Sequence, residues 1–302
     1  MRERELVVYV HIQKTAGTTL AKVFETNYGR RAINLRPPLV VDAGRASVIE
    51  CINRHVIERG DRNTACLYGH LAYYGIHWLL GGSAKPLYLT FLRDPVERVI
   101  SLYYFLKGSP ELFWSDEITA NDWSLADWFR KSELTGGRFD GQTAHLNWGY
   151  AVVWRYHFGA TSSARPDSAG ARHASPSNIR VTEEHLEAAK DLLSRFWFVG
   201  LTETFEQDLD FLYGRLGFRK APNQKIFNAT RQKEPVSAAV RDMIAERNRF
   251  DRALYDHAKS LRARFVEDPA NRYHELQERG RRIRAQSGVS RAPGVEAARV
   301  GF

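Results

Sequence analysis

The chain has 302 residues, 43% hydrophobic and 12% aromatic, with a formal net charge of +9. That is apolar material for one large α/β domain or two small ones, and it excludes a chain too polar to fold. Two cysteines, Cys51 and Cys66, are too few for a disulfide framework or a cysteine metal cluster, and no apolar run reaches the ~18 residues a membrane span needs.

The mixed-charge start, Met1-Arg2-Glu3-Arg4-Glu5, does not read as a signal peptide, and a reducing, cytoplasmic setting is expected. The first strand is predicted over Leu6–Ile12 and leads into His11-Ile12-Gln13-Lys14-Thr15-Ala16-Gly17-Thr18-Thr19. An amphipathic helix follows over Thr19–Glu25, with Leu20, Val23 and Phe24 on one face. A strand, a loop of this composition and a helix make a seat for a phosphate. The first N–H groups of a helix lack intrahelical partners and its dipole favours an anion there. Lys14 adds a charge, Gly17 permits close approach of the backbone, and Thr15, Thr18 and Thr19 bring hydroxyl donors, with Ala16 between them. In nucleotide hydrolases the lysine follows the last glycine of G-x-x-x-x-G-K-[ST]; here Lys14 precedes Gly17. That order disfavours the alternative of a P-loop kinase using ATP and magnesium.

Further on, a helix is predicted over Val48–Arg59 and a strand over Ala65–Gly69, after which His70 stands. A third strand, Leu87–Leu92, ends at Arg93. Asp94 then reads as an N-cap, Pro95 as the first helical residue and Glu97 as N3 of a helix running to Lys107, with Ser101 about two turns in. Helices are also predicted over Thr182–Arg195, Thr204–Leu216 (stopped by Gly217) and, as one long element, Val236–Phe265; the fourth strand is Phe196–Gly200. Strands alternating with helices imply a three-layer α/β/α architecture with a mostly parallel sheet, in which ligands bind at the carboxyl ends of the strands. The folded domain is expected to span 1–268, with a flexible insertion at 159–177 rich in Ala, Ser, Gly and Pro. Residues 269–302 read as a basic, disordered tail, with six arginines against one glutamate from residue 279 onward. Peripheral contact with an acidic membrane surface suits such a tail. Specific nucleic-acid binding is not expected, and it stays as the alternative for that segment.

The pair His11-Ile12-Gln13-Lys14-Thr15-Ala16-Gly17-Thr18-Thr19 and Leu92-Arg93-Asp94-Pro95 followed by Ile100-Ser101 resembles the donor-binding signature of carbohydrate sulfotransferases, above all the heparan sulfate 2-O- and 6-O-sulfotransferase group. Phe198-Val199-Gly200-Leu201-Thr202-Glu203 is similar to that family's Gly-Leu-Thr-Glu step. Phe227-Asn228-Ala229-Thr230-Arg231 resembles its Asn-x-Thr-Arg loop, and Asn248 to Ala258 its terminal helix. The resemblance implies a P-loop-like fold and the donor 3′-phosphoadenosine 5′-phosphosulfate (PAPS). It assigns the 5′-phosphosulfate to the first loop and the 3′-phosphate to Arg93 and Ser101, with Thr230 and Arg231 closing over the nucleotide. It implies a saccharide acceptor and no bound metal. The family's Golgi enzymes carry an N-terminal membrane anchor that is not read here, and likeness is slight between about residues 108 and 180.

An acceptor hydroxyl needs a base. His70 stands at a strand end on the ligand side, and the resemblance points to the same position; His77 is the runner-up, while His145 and His157 are less constrained. Tyr73 and Gln142 are the candidate acceptor contacts. The expected reaction is in-line displacement at sulfur, with Lys14 and the loop amides stabilising the leaving 5′-phosphate.

Overall fold

The computed structural model describes residues 4–35, 48–81, 84–109, 115–131, 139–147, 180–220 and 234–286. Five strands build one sheet: β1 Glu5–Val10, β2 Ala32–Asn34, β3 Cys66–Gly69, β4 Lys85–Leu92 and β5 Phe198–Leu201. All pairings are parallel, in the order β2-β3-β1-β4-β5. The chain moves from β1 outward to one side through β2 and β3, then returns to the other side for β4 and β5. The switch point therefore lies at β1, and crevices open there at the carboxyl ends of the strands.

The central strands are buried on both faces, so they read as continuous apolar runs rather than alternating ones. Side chains still alternate between layers. Leu6, Val8 and Val10 of β1 enter one core with Ile52 and Val56 of α2 (Val48–Arg59), Leu186 and Leu192 of α7 (Glu183–Ser194) and Leu254 of α10 (Arg249–Glu267). Val7 and Tyr9 enter the opposite core with Leu20 and Phe24 of α1 (Gly17–Tyr28), Phe211 of α8 (Phe205–Leu216) and Tyr273 of α11 (Tyr273–Gln286). This is the three-layer α/β/α arrangement. A third cluster joins α3 (Pro95–Lys107), α4 (Asp116–Asn121), α5 (Leu125–Lys131) and Ile244 of α9 (Ala238–Arg247). A helical segment over 141–147 (α6) lies between α5 and α7 in the chain.

Beside α4, α5 and α6, which are not among the predicted elements, the structure departs from them in three places. β2 is too short, at three residues, to leave a periodic signal. The single helix predicted over Val236–Phe265 is broken at Asn248, whose backbone leaves helical geometry (φ −122°, ψ 39°). Its side chain donates to Ile244 O (2.9 Å) one turn back and accepts from Asp140 N (2.8 Å), a partner 108 positions away that fixes the joint. The third departure is the basic tail, which is folded as α11 over Tyr273–Gln286. Gly214 of α8 and Gly280 of α11 let the two backbones touch: a Cβ on Gly280 would sit 1.7 Å from Asp210 O, and one on Gly214 1.8 Å from Leu276 O. Arg284 pairs with Asp210 (2.8 Å) and Glu206 (2.5 Å), so part of the basic character balances acidic residues of α8. Residues 287–302 and the insertion expected at 159–177 lie outside the described residues. Among the described residues, no helix is long and apolar enough to cross a membrane.

Candidate active site

β3, β1 and β4 lie side by side and end at the same edge of the sheet. The chain leaves them into His70, the 11–16 loop and Arg93. The Thr90 hydroxyl of β4 donates to Val10 O (2.8 Å), fixing the end of β1 where the loop begins.

The loop turns through Lys14 (φ +67°) and Ala16 (φ +64°), two non-glycine residues in the left-handed region. Each such residue costs on the order of 1 kcal/mol or more, and such costs cluster where a backbone is held ready for a ligand. The Thr15 hydroxyl donates to Ile12 O (2.8 Å) and is fully buried, so it closes the loop from inside rather than facing a ligand. Ala16 is the N-cap of α1 and supplies no side-chain cap, so the first-turn N–H groups that lack helical partners are not capped by it. Thr18 is exposed, whereas Thr19 Oγ1 is shut off from solvent and has no hydrogen-bond partner. Gly17 also serves a purpose within the chain. A Cβ there would lie 1.7 Å from His11 Nε2, so the glycine makes room for the His11 ring.

That ring stacks on His70, with centroids 3.9 Å apart and planes at 23°, and faces Tyr9 at 5.4 Å. His70 Nδ1 lies 3.0 Å from His11 O. A carbonyl only accepts, so Nδ1 carries the hydrogen and Nε2 keeps its lone pair. Burial pulls the His70 pKa below the ordinary imidazole value; the bond to His11 O opposes this in part, and Lys14 adds to the lowering. His11 is pushed well down by burial and then by His70, His145 and Lys14. His77 belongs elsewhere: its Nδ1 sits 2.7 Å from the Tyr88 hydroxyl, in the middle of β4.

Arg93 directs Nη1 to Lys14 O (3.3 Å), which brings the guanidinium against the loop. Ser101 is buried two turns into α3. One turn further, on the same helix face, Phe105 is 40% exposed and lies beneath the Lys14 ammonium, 4.1 Å from Nζ to the ring centroid. The start of α3 is capped as its sequence dictates: the Asp94 carboxylate accepts Val96 N (3.0 Å) and Glu97 N (3.1 Å) and pairs with Arg252 (2.8 Å). The Gly-Leu-Thr-Glu step ties β5 to this corner, because Thr202 Oγ1 donates to Leu92 O (3.1 Å) and Glu203 Oε1 accepts Asp94 N (2.9 Å).

Both candidate acceptor contacts are corrected. Tyr73 is buried in the first core, with its hydroxyl on Asn53 Oδ1 (2.7 Å). Gln142 is fully buried, and its amide holds the backbone of Arg93: Oε1 accepts Arg93 N (2.9 Å) and Nε2 donates to Arg93 O (3.0 Å). Three residues along α6, on the same helix face, His145 is 6% exposed, and its Nε2 is buried without a hydrogen-bond partner. Burial, then His70 and Arg98, push its pKa down to about 3. The spacing of Gln142 and His145 was visible in the sequence, but nothing there placed α6 beside Arg93 and His70. Thr230 and Arg231 lie outside the described residues. Among the described residues, no three His, Cys, Asp or Glu side chains are grouped to hold a metal ion.

Heparan sulfate 2-O-sulfotransferase 1 is similar to part of this chain. The Homo sapiens protein is 24% identical over 111 residues, which is 35% of this chain and 30% of that protein. The Gallus gallus protein is 25% identical over 108 residues, 34% and 29% respectively, and the Mus musculus protein is 24% identical over the same length and shares. The match thus spans under a third of those relatives. The pattern of the Sulfotransferase family reaches much further, over residues 1–258, and so takes in the loop, His70, Arg93, Ser101 and α6 together. The chain belongs to the sulfotransferase family.

Proposed function

We propose that this protein moves a sulfuryl group from PAPS to a hydroxyl of a saccharide acceptor, with His70 as the base. The observation that carries the reading is the meeting, at three neighbouring strand ends, of a helix start without a side-chain cap, the cations of Lys14 and Arg93, and an imidazole with a fixed tautomer. The first-turn amides of α1 suit the oxygens of the 5′-phosphosulfate. Arg93 and Ser101 suit the 3′-phosphate, and Thr230 and Arg231 would complete the nucleotide site. The saccharide class follows the relatives, whose name specifies heparan sulfate.

In this reading His70 Nε2 accepts the proton of the acceptor hydroxyl as that oxygen bonds to sulfur. The bond from sulfur to the 5′-phosphate oxygen breaks, and adenosine 3′,5′-bisphosphate departs. Lys14 and the loop amides meet the charge that grows on the departing phosphate. His11 O holds the Nδ1 hydrogen throughout, so the imidazolium that forms is hydrogen-bonded on the side away from the reaction.

The test is transfer from labelled PAPS to a panel of saccharides. In His70→Ala, turnover falls by about 10²–10⁴-fold, while the affinity for adenosine 3′,5′-bisphosphate stays near that of the wild type. Loss of nucleotide binding with unchanged turnover per bound donor would remove His70 from the reaction. The base acts unprotonated, so activity fails as pH falls through its pKa. Since burial lowers that pKa, the acid limb of kcat/KM lies below pH 6.5.

A further inference from the structure

Arg93 stands just past the end of β4, whose last register pair with β5 is Leu92 and Leu201. Beyond that pair, Gln142 takes the place of a strand. One side-chain amide accepts the N–H and donates to the C=O of the same residue, as the next strand of a sheet would (2.9 and 3.0 Å). Gln142 is in turn fixed from below. The Asp251 carboxylate of α10 accepts Gln142 N (3.0 Å), Thr143 N (2.8 Å) and Thr143 Oγ1 (2.8 Å), capping α6. The Asp140 carboxylate accepts Asp251 N (2.8 Å) at the start of α10. Each helix is capped by the aspartate of the other. Arg98 of α3, 1% exposed, lies 3.7 Å from Asp251 and packs on Gly141, where a Cβ would come within 2.9 Å of Nη2. Three helices are knotted at one buried point, and the Gln142 amide extends from that knot to the donor side.

We propose that Gln142 is a positioning residue that sets Arg93 for the 3′-phosphate, so that α6 governs discrimination between adenylates with and without that phosphate. The inference rests on the donor reading above. A guanidinium recognises phosphate through a planar fork, so its contact depends on where its backbone is held. The 5′ groups belong to the 14–19 loop, which is closed by the Thr15 hydroxyl on Ile12 O and tied to β4 by the Thr90 hydroxyl on Val10 O as well as meeting Arg93 through Lys14 O (3.3 Å). Loss of the clamp therefore falls mainly on the 3′ end of the nucleotide.

Titration calorimetry with adenosine 3′,5′-bisphosphate and adenosine 5′-phosphate, beside thermal unfolding, tests this in the full chain, in Gln142→Ala and in Gln142→Glu. The glutamate variant is nearly isosteric and still accepts Arg93 N–H, but its carboxylate cannot donate to Arg93 O. The wild type prefers the bisphosphate. In both variants that preference shrinks by at least about tenfold, which is about 1.4 kcal/mol of discrimination. Affinity for the 5′-phosphate stays within about threefold. Should Gln142→Ala fail to fold, Gln142→Glu decides the matter. A folded variant that keeps the wild-type preference overturns the proposal and leaves Gln142 a core residue. A wild type that binds the two nucleotides equally overturns the donor reading itself, and the proposal with it.

Discussion

Asp251 and Asp208 are both fully buried and each faces an arginine, Arg98 fully buried and Arg262 mostly so, yet they do different work. Asp208 lies under the end of β5. Its oxygens accept from Arg262 Nε (3.0 Å) and Nη2 (2.7 Å), Tyr273 Oη (2.6 Å), Thr204 Oγ1 (2.8 Å) and Leu201 N (3.3 Å). It is a forked ion pair that binds α8, α10 and α11 to the sheet. Asp251 directs its oxygens to the N–H groups of α6, while Arg98 stands off at 3.7 Å. There the charge compensates burial and the hydrogen bonds place a helix. One buried aspartate fastens the scaffold; the other aims residues at the candidate active site.

The sharpest way to break that contrast is Asp208→Ala. Removing one partner strands the Arg262 charge in a mostly buried position, and such breaks cost about 3–5 kcal/mol. Denaturant unfolding should show the loss, while the remaining folded protein keeps the wild-type preference for adenosine 3′,5′-bisphosphate over adenosine 5′-phosphate. A changed preference would mean that scaffold and site are not separable in this way.

Lys14→Ala is the converse and comes next in size. Lys14 rests over the half-exposed Phe105 at the rim of the loop, so its removal leaves the cores intact. The expected loss is about 10²–10³-fold in transfer, or about 2.7–4 kcal/mol of transition-state stabilisation. The melting temperature should stay close to that of the wild type. Retained transfer in the folded variant would take Lys14 out of the site.

The same contrast explains what could be read from the sequence. Pro95–Lys107 was legible to the residue because its start is written locally, in Asp94, Pro95 and Glu97. The central strands and the order strand, loop, helix at Lys14 were legible for the same reason, as was the end of α8 at Gly217. The rest depends on residues far apart in the chain. Gln142 looks like a polar surface residue until α6 is laid against Arg93, 49 positions earlier. Tyr73 looks like a sugar platform until Asn53 takes its hydroxyl. The basic stretch after residue 272 looks solvated until Gly214 and Gly280 bring α11 onto α8 and Arg284 finds Glu206 and Asp210. Composition shows the charge of α11 and not the acids that meet it. The break at Asn248 is of the same kind: the apolar spacing runs on through it, and only the side-chain bond to Asp140 N marks the joint.

The smallest predicted effect sharpens the Asp251 side of the contrast. Asp140 faces Asp251 across the double cap, and burial followed by that neighbouring charge raises its pKa from 3.8 to about 6. A carboxyl whose pKa is higher in the folded state than in the unfolded chain contributes stability that is complete below the unfolded value. That stability is lost as pH rises through the folded value. Here the window runs from about pH 4 to about pH 6. Asp140→Asn keeps an oxygen for Asp251 N–H and tolerates the left-handed backbone at φ +42°, since asparagine enters that region readily. It carries no titrating proton. Across the window the wild type should therefore lose about 1–3 kcal/mol relative to the variant, a two-unit shift corresponding to roughly 2.7 kcal/mol. Unfolding curves of both proteins at pH 4, 5, 6 and 7 isolate the term as a difference that levels off above pH 6. The same slope in both proteins would show that neither burial nor the neighbouring Asp251 charge holds a proton on Asp140, and the reciprocal cap would then be geometric rather than electrostatic.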